Sequence, residues 1–196
     1  MGDVVMDDAQ VQNWVRAERL ALADFLEDLT PGEWATPSLC PGWTIHDVLA
    51  HVSTTDTLRE TLVAVVRAKG NWNRMNADMA TTRAARHTPA ELLTELRAFA
   101  DSTRRAPGAG VLDPLVDIIV HGQDIARPLA RPYETPVDRV VPALDYTIAS
   151  RFYGAKKRFR ATRLTATDTD WTYGEGPEDI KAPAIDLLLL ATGRPA

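Results

Sequence analysis

The sequence predicts a mainly α-helical protein, a bundle with a small strand-and-helix tail, on three observations. Apolar residues recur with a period of about 3.6 through the first 160 residues or so, hydroxyl residues and prolines stand where helices begin, and β-prone residues take over only after Arg160. The first helix is expected from about Ala9 to Leu29, with Val11, Trp14, Val15, Leu22, Phe25, Leu26 and Leu29 on one broad stripe and Thr30-Pro31-Gly32 as its stop. A loop through Pro37, Cys40, Pro41 and Gly42 leads to Thr44-Ile45-His46-Asp47, which has the Ser/Thr-x-x-Asp/Glu form of a capping box. The second helix therefore starts at Thr44 and is read to Lys69, where Gly70 and Asn71 end it. A third runs from Pro89 to Thr103 behind the cap Thr88, carrying Leu92, Leu93, Leu96 and Phe99. The fourth opens with Asp113 as cap and Pro114 at its first position, and ends near Arg127 because Pro128 disfavours helical geometry in the residue before it. The fifth, from Val137 to Arg160, holds Val140, Val141, Leu144, Ile148, Phe152 and Phe159, with Pro142 in its first turns. Arg163 to Thr167 and Trp171 to Tyr173 are expected as a strand pair, Gly174-Glu175-Gly176-Pro177 marks a turn after it, and a last helix covers Pro183 to Ala191 with Gly193 past its end. On this reading residues 1–160 form the bundle and residues 161–196 the tail packed on it, one compact domain overall.

With 196 residues, 45% of them hydrophobic and 25% charged, the chain can bury roughly 70% of its unfolded surface and hold a core without disulfides. Its single cysteine, Cys40, excludes an intramolecular disulfide and fits a reducing compartment. The net charge is −5, from 22 basic and 27 acidic side chains. Nucleic acid or an anionic membrane as main partner calls for a basic patch, and the densest basic run, Lys156-Lys157-Arg158-Phe159-Arg160, is short. The acidic start, Met1 to Asp8, lacks the layout of a secretory signal, and the apolar run Leu187 to Ala191 is too short to cross a bilayer. The expectation is a cytoplasmic protein with no nucleic-acid and no membrane partner; a homodimer is left open.

The histidines carry the chemistry. On a helical wheel His51 falls with Val48, Val52, Leu58 and Leu62 on the apolar face, whereas His46 points to the opposite side. A buried histidine has an ordinary explanation, a core imidazole satisfied by a carbonyl or hydroxyl. Asp47, four residues before His51, pairs with it or caps the helix, and the capping role has the stronger motif. On the fourth helix Asp117 and His121 are four apart, so their side chains rise from one face as a chelating pair for a metal ion. Asp124 adds a third polar group, and the competing reading is that all three lie on a solvated face opposite Leu115, Ile118 and Ile119.

Two segments together, Pro41-Gly42-Trp43-Thr44 with Asp47-Val48-Leu49-Ala50-His51-Val52, and Val116-Asp117-Ile118-Ile119-Val120-His121-Gly122-Gln123-Asp124-Ile125-Ala126-Arg127-Pro128-Leu129, resemble the DinB-like metal-dependent family. Within it the sequence is similar to the actinobacterial branch named for mycothiol-dependent maleylpyruvate isomerase, and the similarity runs from Trp14 to Arg194. The resemblance implies a DinB-like four-helix bundle binding one divalent ion through His51, Asp117 and His121. Asp117 stands where the branch has Glu and many DinB-like proteins have His; aspartate is a sound donor at about 2.0–2.2 Å from zinc, one methylene shorter than glutamate. Zinc is the foremost ion, and nickel, iron or manganese also suit such a set. Three protein ligands leave an open position, where a thiol is deprotonated by the ion's charge. The implied activity is that of an S-transferase or cis-trans isomerase with mycothiol as thiol cosubstrate and an electrophilic small molecule as its other partner. A non-catalytic relative that binds or interacts, and a metal hydrolase that activates water instead of thiol, are the two alternatives.

Arg127, at the end of the metal helix, is a candidate for a carboxylate on the cosubstrate or substrate, although a basic residue there also suits the helix dipole. Cys40 reads as a packed, inert side chain, and His87 as exposed and silent. No phosphate-binding glycine loop, Gly-x-Ser-x-Gly elbow or Cys-x-x-Cys pair is present.

Overall fold

Three helices begin on the same device, a threonine whose hydroxyl accepts the N–H three residues on while the acidic side chain there reaches back to the threonine N–H. In the computed structural model, which describes residues 7–53, 72–105 and 108–195, Thr30, Thr44 and Thr88 form it with Glu33, Asp47 and Glu91. The helices in order are α1 (Asp8–Leu26), α2 (Pro31–Trp34), α3 (Ile45–Val52), α4 (Trp72–Ala84), α5 (Pro89–Ala98), α6 (Asp113–Ala126), α7 (Val137–Ala149) and α8 (Ala155–Arg158). The strands β1 (Thr162–Ala166), β2 (Thr172–Tyr173) and β3 (Glu178–Ala182) follow, and α9 (Ala184–Ala191) comes last. The protein is thus mainly helical with a small sheet, as the sequence predicts.

The differences from the expected elements have identifiable causes. Helix α1 ends at Leu26 instead of Leu29, before Thr30-Pro31-Gly32, and the box at Thr30 starts a further turn of helix, α2. The expected continuation of the second helix to Lys69, with Leu58 and Leu62, lies outside the described residues. Helix α4 has no apolar stripe to betray it; of its described side chains only Met75 and Ala80 are buried. Helix α5 stops at Ala98 instead of Thr103 because the buried Arg19 guanidinium takes the carbonyls of Phe99, Ala100 and Ser102 at 3.1, 3.2 and 2.9 Å, and those oxygens then need no helical N–H. The expected fifth helix breaks after Ala149 and restarts at Ala155 behind Gly154, whose φ of +69° is left-handed. Phe152, expected on its apolar stripe, is 72% exposed in the break, while Phe159 is buried as expected.

Contacts divide the chain into two compact units. One comprises the chain up to Trp14, Arg104–Val120 and Glu134–Ala196. In it α9 packs on α7 and on β1, with Leu187, Leu188 and Leu189 buried along with Leu144, Ile148 and Leu164. The strand pair read from sequence is joined by β3: the order is β2-β1-β3, β1 antiparallel to β2 with Leu164 opposite Tyr173, and parallel to β3 from Thr162–Glu178 to Ala166–Ala182. Reaching the far edge of β1 brings Gly176 so close that a Cβ there would sit 2.0 Å from the Ala161 carbonyl oxygen. The other unit comprises Val15–Thr103 and His121–Tyr133. There α3 packs against α4 and α5, burying Ile45, Val48, Leu49, Leu92 and Leu96.

In the first unit Asp113 does more than begin a helix. Its carboxylate accepts the Gly110 N–H at 2.7 Å, the Tyr146 hydroxyl at 2.8 Å and the Tyr153 hydroxyl at 3.2 Å, tying the start of α6 to α7. Burial first, then the hydrogen bond to Asp113 and its negative charge, push the Tyr146 phenol up to about 12. The unfolded phenol titrates near pH 10, so the contribution of Tyr146 to stability is complete below about pH 10 and is lost as pH rises towards 12. Tyr146→Phe should therefore flatten the fall in stability across that window in denaturant unfolding; the same pH slope in both proteins would remove Tyr146 as its cause.

Candidate metal centre

The loop before α3 is fastened at both of its edges. Pro37 and Thr44 form an antiparallel bridge, the Ser38 N–H donates to the Trp43 carbonyl at 2.8 Å, and the Trp43 N–H donates to the Cys40 carbonyl at 3.0 Å. Outwardly, the Leu39 N–H donates to the Asp124 carbonyl at 3.0 Å, which pins the loop to the last turns of α6. Trp43 is thereby laid against two imidazoles, 5.3 Å from the His51 ring and 6.3 Å from the His121 ring, nearly parallel to the latter at 24°.

His51 and His121 meet edge to face with their centroids 4.9 Å apart. His121 is buried and His51 half-buried. Asp124 has no exposed surface, and its Oδ2 lies 2.9 Å from His121 Nδ1 and accepts the Cys40 thiol at 3.1 Å. A carboxylate on Nδ1 selects the tautomer that presents Nε2 for a ligand, the arrangement usual behind metal-binding histidines. Asp117 stands one turn before His121 on the same helix and is exposed. Two imidazoles and one carboxylate are donors that suit zinc and its neighbours.

The solvated-face reading of α6 holds for Asp117 and fails for the other two, since from Leu115 to Ala126 every residue except Asp117 is buried. A wheel assigns faces only where one side of a helix meets water. His46 keeps apart, against the Trp34 ring at 6.3 Å, with its Nε2 buried and making no hydrogen bond among the described residues. Asp47 caps α3, its Oδ2 accepting the Thr44 N–H at 2.8 Å. His87 is half-buried beside Glu95 instead of exposed. Arg127 donates from Nε to Gln123 Oε1 at 3.1 Å, which holds its stem along the last turn of α6. Sequence reasoning missed Trp43 as a ring partner and left Asp124 without a role; the three-residue spacing from His121 to Asp124 was the available signal for the latter.

The family described as the mycothiol maleylpyruvate isomerase N-terminal domain matches residues 15–126, more than half of the chain and every residue of this cluster. Uncharacterized proteins from two strains of Mycobacterium tuberculosis are each 37% identical over 92 residues, 42% of this chain and 35% of theirs. The chain thus spans about a third of the length of these curated relatives. The crystal structure of the mycothiol-dependent maleylpyruvate isomerase matches with a TM-score of 0.60 over 96% of this chain and 90% of that one, at 13% identity, a likeness of fold.

Replacing Asp124 strands two donors in a buried place. Asp124→Ala should destabilise the protein by roughly 1–3 kcal/mol, read by urea unfolding, and a change within about ±0.5 kcal/mol, as at an ordinary surface position, would show that the contacts do not hold the loop.

Proposed function

The chain belongs to the mycothiol maleylpyruvate isomerase N-terminal domain family, and from that membership we propose that it is a divalent-metal enzyme using mycothiol as thiol cosubstrate, of S-transferase or isomerase type, in the cytoplasm. The observation that carries the proposal is the pairing of His51 with His121, with Asp124 behind the second ring. His51, Asp117 and His121 are the proposed ligands, with zinc the first choice. A cation held there supplies the positive charge that keeps a thiol ionised at neutral pH.

The remaining work falls to the chain's own groups. Asp124 fixes the His121 ring through Nδ1 and strengthens it as a donor. Trp43 lies against both rings and limits how they can turn. Asp117, exposed, marks the side from which a small thiol and an electrophile would arrive. Arg127, braced by Gln123, is proposed to meet a carboxylate of either.

His51→Ala and His121→Ala should each abolish stoichiometric zinc in the purified protein, whereas His46→Ala and His87→Ala should keep it, as read by elemental analysis. Equal retention in all four would remove the site. Asp117→Glu, which restores the residue of the isomerase branch, should bind at least as tightly as the parent, and Asp117→Asn markedly less so.

Mycothiol added to the cobalt-loaded protein should raise a sulfur-to-cobalt charge-transfer absorption and release a proton near neutral pH, with the same response in Cys40→Ser. No response to mycothiol together with turnover of hydrolysable substrates would replace the thiol reading with water activation. Neither response would leave a binding protein.

A further inference from the structure

A second set of donors lies behind His121, on the ring nitrogen away from the proposed reaction. Cys40 Sγ is 3.1 Å from Asp124 Oδ2 and 3.7 Å from His121 Nδ1, and Oδ2 is 2.9 Å from Nδ1. The point equidistant from the three atoms in their own plane is about 1.9 Å from each of them. A cation about 1 Å out of that plane then meets sulfur, nitrogen and oxygen at about 2.0–2.3 Å, ordinary bond lengths for zinc-like ions. Asp124 and His121 are 0% and 8% exposed, so neither has to be drawn in from solvent, and Cys40 is half-buried at the loop's turn. A thiolate in such a set selects for thiophilic cations.

We propose that Cys40, Asp124 and Nδ1 of His121 bind a thiophilic divalent cation, and that its binding expels the ion held by His51, Asp117 and His121. The reason for exclusion is the ring itself: a neutral imidazole has one nitrogen with a lone pair and one with a hydrogen. A cation on Nδ1 moves the hydrogen to Nε2, where it blocks the other ion. In the binding step the thiol gives its proton to solvent, the ring changes tautomer with no net proton, and three donor bonds form; no electrons are transferred. The exclusion rests on the proposed function, whereas the donor set stands on the distances alone.

The test is a titration of the metal-free full-length chain with cadmium chloride, following thiolate-to-cadmium absorption in the ultraviolet. The absorption should saturate at a single equivalent in the parent, persist in His51→Ala and Asp117→Asn, and be absent in Cys40→Ser. In Asp124→Asn and His121→Ala the affinity should fall by about tenfold or more. Loss of the absorption in His51→Ala would place the thiolate with the other ion's ligands and overturn the proposal. Undiminished affinity in Asp124→Asn would mean that the thiol binds alone, and would overturn it as well.

Cadmium added to zinc-loaded protein should release the zinc, read with a chromogenic chelator, and should leave it bound in Cys40→Ser, whose zinc content also reports that this variant folds. Equal release from both would mean simple replacement at the first site and would overturn the exclusion. Stoichiometric zinc in a variant carrying both His51→Ala and Cys40→Ser, where neither donor set is complete, is a different result: it refutes the proposed function and leaves the cadmium site untouched.

Discussion

A carboxylate with no exposed surface, Asp124, sets the terms for everything around it. Burying such a charge carries a penalty of several kcal/mol unless hydrogen bonds replace the lost water. Its Oδ2 meets one partner from its own helix, His121 Nδ1, and one from the loop before α3, the Cys40 thiol. The same residue's carbonyl accepts the Leu39 N–H. Main chain and side chain of one residue therefore fasten the loop, which cannot lift away without stranding a charge. Because Thr44 caps α3 directly after that loop, the fastening also fixes where α3 begins and so where His51 stands, two turns along it.

The neighbours of Asp124 show how a helix so polar in sequence can be buried almost all round. Gly122 lets the Tyr133 ring come so near that a Cβ would sit 2.5 Å from its Cε1. Gln123 donates to the Tyr133 carbonyl at 2.9 Å and accepts from Arg127. Tyr133 in turn packs edge-on against Phe25, 5.2 Å away. Two residues earlier Arg131 pairs with Glu33 at 2.5 Å, and Glu33 is itself the reaching side chain of the α2 capping box, whose hydrogen bonds from Thr30, more than the charge of Arg131, hold its carboxyl below the usual range. Each position in the run His121-Gly122-Gln123-Asp124 thus has a separate role, as a ring held by a carboxylate, space for an aromatic, a clamp on the returning chain and an anchor for the loop.

Caps and periodicity made most of the helices legible in the sequence. Thr44-Ile45-His46-Asp47 and Thr88-Pro89 are where the structure starts α3 and α5, because a capping hydrogen bond is a local contract between residues three apart. What stayed illegible was settled by distant residues. Arg19 ends α5 from another helix, and α4 shows no period because so little of it is buried. The strand β3 reads as a charged segment because its outer side chains are exposed, and only pairing with β1 makes it a strand. At the site, the meeting of His51 and His121 was legible from two motifs taken together. The place of Cys40 was not, since it depends on a backbone hydrogen bond from Leu39 that no side-chain pattern encodes.

Along α6 the acidic residues occur at three depths, and depth decides what each can do. Asp124 is sealed, with the Cys40 thiol and His121 Nδ1 both at its Oδ2, so towards the Nε2 side of that ring it acts as an orienting group. Asp113, at the other end, accepts from Gly110 and two tyrosines, and its charge is absorbed by neutral donors. It also stands two turns from His121, too far along the helix to share an ion with it. Asp117 lies between them, exposed and a single turn from His121. Its charge still reaches Tyr153, where burial first and then the charges of Asp113 and Asp117 make the phenol harder to ionise. A carboxylate at this depth keeps its contact with water. An ion that receives small molecules requires such exposure, and this is the ground on which Asp117, of the acidic residues on this helix, is the one proposed as its ligand.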